Sequence, residues 1–124
     1  MPPLRTVLIV DDSALNRKLV SQALPKGYAD TVVHAKNGAE ALEILRTVAP
    51  HLILLDLNMP IMDGYQLLEA LQQAGTMPAP IIVLSADVQP KARERVLSMG
   101  AVTFLGKPPS TEALREAIAM YGRP

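Results

Sequence analysis

Short apolar runs and longer helical repeats alternate along this chain. Val7–Val10, Leu52–Leu55 and Ile81–Leu84 are the strongest runs, and Thr31–His34 and Val102–Leu105 are weaker. Consecutive β-branched and leucine residues suit a strand covered on both faces, the condition of a parallel sheet; a strand with one wet face would alternate. Between the runs, apolar residues recur at three- and four-residue steps, predicting helices with one face turned inward. These faces are Leu15, Leu19 and Ala23; Ala39, Leu42, Leu45 and Ala49; Gly64, Leu67, Leu68 and Leu71; Ala92, Val96 and Met99; and Leu114, Ala117, Ile118 and Tyr121. End signals fit this division. Asn37 with Glu40 three residues on, Pro90, and Ser110 after a Pro pair mark helix starts. Gly75 and Gly100 stand just past two helix ends, where a positive φ is usually required.

Five strands alternating with five helices, joined by right-handed crossovers, predict an α/β fold: a doubly wound, five-stranded parallel sheet in a three-layer α/β/α sandwich. With 124 residues, the expectation is one domain over 1–124 with its core at about 5–121. The Pro/Gly-rich stretch Gly75–Pro80 reads as a helix-to-strand loop. Composition narrows the chemistry. Twelve basic residues balance 12 acidic ones, so no overall field draws nucleic acid or an anionic membrane. The absence of cysteine excludes disulfides, thiol catalysis and Cys-based metal sites. The longest apolar runs fall far short of the roughly 20 residues of a membrane span. Acids arrive at Asp11 and Asp12, too early for a signal peptide, and the expected location is cytoplasmic.

Ligands of an open parallel sheet bind beyond the carboxyl ends of its strands. Asp11 and Asp12 follow the first strand, Asp56 the third, Ser85 the fourth and Lys107 the fifth. Singly, each has an ordinary explanation as a turn, a cap or a solvated charge. Together they place three carboxylates on one edge. Such a pair repels by about 4 kcal/mol at ~4 Å and an effective dielectric of ~20, so the group makes sense around a cation. All-oxygen ligation points to Mg²⁺. Beside a metal, Asp56 becomes a plausible nucleophile toward phosphorus, with Lys107 and the Ser85 hydroxyl available to the phosphoryl oxygens.

These residues stand in a pattern that resembles the receiver domains of two-component response regulators, over about residues 5–121. The pattern comprises the acid pair Asp11-Asp12, LLDLNMPIMDG around Asp56, PIIVLSA with Ser85, and MGAVTFLGKP with Phe104 and Lys107. The intervals of 44 residues from Asp12 to Asp56, 29 to Ser85 and 22 to Lys107 fit the family. The resemblance implies a flavodoxin-like fold of receiver type, and a phosphoacceptor switch rather than an enzyme. It implies that Asp56 accepts phosphoryl from the phosphohistidine of a histidine kinase or histidine phosphotransfer protein. Mg²⁺ is implied at Asp11, Asp12, Asp56 and the Asn58 backbone carbonyl, and a cis peptide at Lys107-Pro108. Ser85 and Phe104 are the implied switch pair: Ser85 moves to the phosphoryl group and Phe104 turns inward. A downstream target would then dock on the fourth helix, fifth strand and fifth helix. Phe104 replaces the commoner Tyr, and Pro109 stands where an apolar side chain is usual.

Two other readings weigh less. A haloacid-dehalogenase-type phosphohydrolase shares the chemistry, but its nucleophile follows the first strand as Asp-x-Asp. A degenerate receiver that docks without phosphorylation is opposed by the intact residue set. Asn58 and Asp87 are expected to flank the acceptor and tune self-dephosphorylation, although Asp87 also suits a turn ahead of Pro90. His34 and His51 are expected to be structural or surface residues. No nucleic-acid contact, no output domain and no stable oligomer beyond a monomer or weak dimer are expected. A free-standing regulator and a receiver excised from a hybrid kinase both fit, and the cognate partners are not legible.

Overall fold

The computed structural model describes residues 5–75 and 77–122. In chain order the elements are β1 (Thr6–Val10), α1 (Ala14–Ala23), β2 (Thr31–Ala35), α2 (Gly38–Leu45) and β3 (Leu52–Asp56). They continue with α3 (Gly64–Gln73), β4 (Ile81–Ser85), α4 (Pro90–Ser98), β5 (Thr103–Gly106) and α5 (Thr111–Tyr121). The strands form one parallel sheet in the order β2-β1-β3-β4-β5. Its register runs Ile9 to Leu54, Leu54 to Ile82 and Ile82 to Thr103.

Pleating sends alternate side chains to opposite layers. Leu8, Val10, Ile53, Leu55, Ile81 and Val83 pack with α2, α3 and α4. Val7, Ile9, Leu52, Leu54, Ile82 and Leu84 pack with α1 and α5. This is why β3 and β4 are apolar at every position before their polar last residue: both faces are covered. β2, at one edge, keeps a mixed sequence and exposes Thr31 and His34.

The caps form as their chemistry predicts. Asn37 Oδ1 accepts from the Glu40 N–H at 2.8 Å, and Ser110 Oγ from the Ala113 N–H at 3.0 Å. Glu40 reaches back to the Lys36 N–H rather than to that of Asn37. Gly75 and Gly100 adopt φ values of 82° and 104°. Three predicted helix faces require correction: in α5, Tyr121 is 39% exposed and the buried face ends before it. In α1, Leu15 and Leu19 are 65% and 47% exposed; Val20 and the C-cap Leu24 are buried against the sheet, and Ala23 of the predicted face packs beside them. In α2, Ala39 is exposed and Ala49 lies past the helix end; Gly38 and Ala41 pack inward instead, beside Leu42 and Leu45.

Candidate functional site

The carboxyl ends of β1, β3, β4 and β5 converge, and each delivers one polar side chain. The Asp11 N–H donates to the Ala35 carbonyl at 3.0 Å, carrying the β1–β2 ladder one step beyond the strand. Its Oδ1 accepts from the Ser13 N–H at 2.9 Å, a turn that sets up Ser13 as the N-cap of α1. Arg17 Nη1 donates to the Asp11 carbonyl at 2.6 Å. Held at three points, Asp11 directs its remaining oxygen, Oδ2, to Lys107 Nζ at 2.6 Å. Asp12 beside it is exposed.

Asp56 ends the central strand, opposite Leu84 in register, and is 6% exposed. Lys107 Nζ lies 3.2 Å from its Oδ1, so one ammonium bridges Asp11 and Asp56. Lys107 is fixed in turn by its N–H, which donates to the Ser85 carbonyl at 2.9 Å, and its bond to Pro108 is cis. Ser85 is 1% exposed, and its Oγ accepts from the Asp87 N–H at 3.1 Å. Gly64 permits α3 to start directly over the end of β3. A Cβ there would meet the Asp56 carbonyl at 2.6 Å, while the Gly64 N–H donates to the Leu57 carbonyl at 3.0 Å.

Burial raises the pKa of Asp56, and the charge of Asp11 adds to the rise; Lys107 and the Asn58 N–H oppose it. For Lys107, burial pulls downward, but its hydrogen bond to Asp11 and the charges of both aspartates outweigh this and raise its pKa. One carboxylate oxygen from each of Asp11, Asp12 and Asp56 lies within 4.8 Å of the others. Three acids against one ammonium leave the cluster short of positive charge, and its donors are all hard oxygens. That set fits Mg²⁺.

Asp56 and Lys107 open into a cleft of about 450 Å³. Asn16, Leu19 and Val20 of α1 form one wall, and Ala86, Pro108 and Pro109 face it, with Asn58 also lining the space. Asp87 does not line it. Its Oδ1 accepts from the Gln89 N–H at 3.0 Å, the turn arrangement that Pro90 invites. Phe104 is 5% exposed, already turned in among Ala92, Val96 and Ala101. His34 is exposed on the edge strand, while His51 Nδ1 accepts from the Thr6 N–H at 3.2 Å, a structural role.

Two side chains, and the backbone conformation at one loop residue, escaped the sequence reading. Arg17 locks Asp11, Asn16 lines the cleft, and Ile61 in the β3–α3 loop has φ 69° with its side chain 83% exposed. The Met62 N–H donates to the Pro60 carbonyl at 2.7 Å across Ile61. This is a γ-turn of the rare, strained hand. Arg17 and Asn16 had a sequence signal in their position within the first turns after the acid pair; Ile61 had none.

The family model of the response regulator receiver domain matches residues 7–119. The chain is 43% identical over 104 residues to a protein-glutamate methylesterase/protein-glutamine glutaminase of Archaeoglobus fulgidus, covering 82% of this chain and 29% of that protein. It is 34% identical over 116 residues to the sensor histidine kinase RcsC of Salmonella typhi, covering 93% of this chain and 12% of that one. The chain thus spans less than a third of the length of either relative. Among solved structures, it resembles the signal receiver domain of the response regulator NarL from Mycobacterium tuberculosis. There the TM-score is 0.84 and the identity 32%, over 96% of each chain. It also resembles the CheX–CheY–BeF3–Mg complex from Borrelia burgdorferi, with TM-score 0.81 and 28% identity over 94% of this chain and 88% of that one. The chain belongs to the response regulator receiver family, the phosphoacceptor switches of two-component signalling. Among the described residues no helix is long and apolar enough to cross a membrane.

Proposed function

We propose that this chain accepts a phosphoryl group on Asp56 from the phosphohistidine of a histidine kinase or histidine phosphotransfer protein, and does so in the cytoplasm. The observation that carries this is the single Lys107 ammonium bridging Asp11 and Asp56 at an open cleft. An Asp56 oxygen attacks phosphorus, the P–N bond breaks, and its electron pair leaves with the imidazole. Lys107 shifts part of its charge from the carboxylates to a phosphoryl oxygen. The Ser85 hydroxyl donates to another once its side chain rotates toward it, a rotation that draws its Oγ away from the Asp87 N–H from which it now accepts. Asp11, Asp12, Asp56 and the Asn58 backbone carbonyl would hold Mg²⁺, which supplies positive charge to the remaining oxygen. The presence of Mg and BeF3 in the Borrelia CheY complex supports this ligand set.

The output then runs through α4. Ser85 Oγ is tied to the Asp87 N–H, Asp87 Oδ1 to the Gln89 N–H, and Gln89 is the N-cap of α4. Pulling Ser85 toward a phosphoryl group loosens the first link of this series. Phe104 is already inward, so its motion is not required for the surface of α4, β5 and α5 to change toward a downstream target. Leu19, which lines the cleft, and Leu15 on the same helix are exposed and suit an apolar, helical face of the phosphohistidine donor. Asn58 tunes hydrolysis from within the cleft.

Incubation with acetyl phosphate and Mg²⁺ tests the assignment. Intact-mass measurement is expected to show one phosphoryl group on the wild type and none on Asp56→Ala; a labelled Asp56→Ala protein would refute it. Mg²⁺ is expected to bind more tightly in the presence of beryllofluoride, and an unchanged affinity would remove the shared coordination.

A further inference from the structure

We infer that Asn16 is a positioning residue that accepts a hydrogen bond from the distal ring N–H of the donor's imidazole. This rests on the reading of Asp56 as acceptor and adds a residue to it. The cleft is chemically divided. Asp56 and Lys107 take the charged end of a phosphorylated ligand, and Leu19, Val20, Ala86, Pro108 and Pro109 offer apolar surface to a flat ring. An imidazole seated there brings a polar atom on the side away from phosphorus. Left without a partner, that atom would cost binding free energy. Asn16 is the carboxamide on the α1 wall of the cleft. Its backbone N–H is engaged by Ser13 Oγ at 3.2 Å, which fixes its place in the first turn. Its side chain makes no hydrogen bond among the described residues. Asn58, the other carboxamide lining the cleft, sits on the β3–α3 loop, where its backbone N–H is directed to Asp56.

The chemistry gives the contact a purpose. A phosphorylated imidazole leaves as neutral imidazole when its distal nitrogen carries a proton as the P–N bond breaks. An acceptor on that N–H favours the protonated, reactive donor and orients it. A donor without a ring gains nothing from it.

Two small donors separate the effects: phosphoimidazole, which carries the ring, and acetyl phosphate, which lacks it. Asn16→Ala and Asn16→Leu both remove the acceptor at a half-exposed helical position where either residue is a better helix former than Asn. Each variant is expected to lose about tenfold in the rate constant for phosphoimidazole while staying within about twofold of wild type for acetyl phosphate. Equal slowing with both donors, or no slowing with phosphoimidazole, would overturn the role of Asn16. Failure of the wild type to label at Asp56 with either donor would instead strike the acceptor reading itself.

Discussion

Two of the connections that leave the acid edge of the sheet solve the passage from strand to helix in opposite ways. From β1 the chain reaches α1 across residues 11–13, with the Asp11 turn and the Ser13 cap stacked one upon the other. From β3 it takes residues 57–63, through the strained turn at Ile61, before Asp63 and Gln66 close a capping box on α3. The helices differ as well. α3 buries Gly64, Leu67, Leu68 and Leu71, every apolar residue of its predicted face. α1 turns Leu15 and Leu19 out to water. The same four-residue spacing therefore serves packing in one helix and presentation in the other.

The contrast breaks most visibly at the core. Leu67 is fully buried, and Leu67→Ala is expected to cost about 3 kcal/mol in urea unfolding. Next comes the acceptor itself. Burial raises the Asp56 pKa, so the folded chain holds that proton more tightly than the unfolded chain does. Its ionised form thus lowers stability at neutral pH, and this cost fades as pH falls through the raised value. Asp56→Asn removes the charge while Lys107 keeps Asp11. The metal-free variant is expected to be more stable than wild type at neutral pH. The gap should narrow in mild acid, as urea midpoints at the two pH values would show. A gap that widened in acid would contradict the direction of the shift.

Smaller effects sharpen the comparison. Ile61→Asn suits the left-handed backbone and is expected to raise stability by up to about 1 kcal/mol, read from the same midpoints. Leu15→Ser and Leu19→Ser are each expected to change stability by no more than about 0.5 kcal/mol. Both should leave acetyl phosphate labelling intact, and loss of labelling would place these leucines in the chemistry rather than at its rim.

Much of this molecule was legible in the sequence, for identifiable reasons. The runs of β1, β3 and β4 declare themselves because strands covered on both faces exclude polar residues until the edge, where Asp11, Asp56 and Ser85 appear. Glycine and proline signals placed the ends of α3 and α4. The inward face of α1 was misread at Leu15 and Leu19, though not at Ala23, because those two leucines satisfy the helical period as well as Val20 and Leu24 do. Periodicity cannot state which stripe meets the sheet. The Ile61 turn was hidden because neither glycine nor asparagine marks it. Asp87 was placed near the acceptor by proximity to Ser85, whereas the Gln89 N–H draws its carboxylate away.

The strand order has a consequence for how such a chain can change over generations. β1 and β3 are neighbours, and their helices depart to opposite layers, so the crevice holding Asp11 and Asp56 is an outcome of topology. The acids hang from buried backbone, whereas Leu15, Leu19 and Ile61 hang from its solvent side. Substitutions can accumulate in the second group without moving the first. After duplication, two descendants can therefore diverge along this rim while the buried acids keep their places.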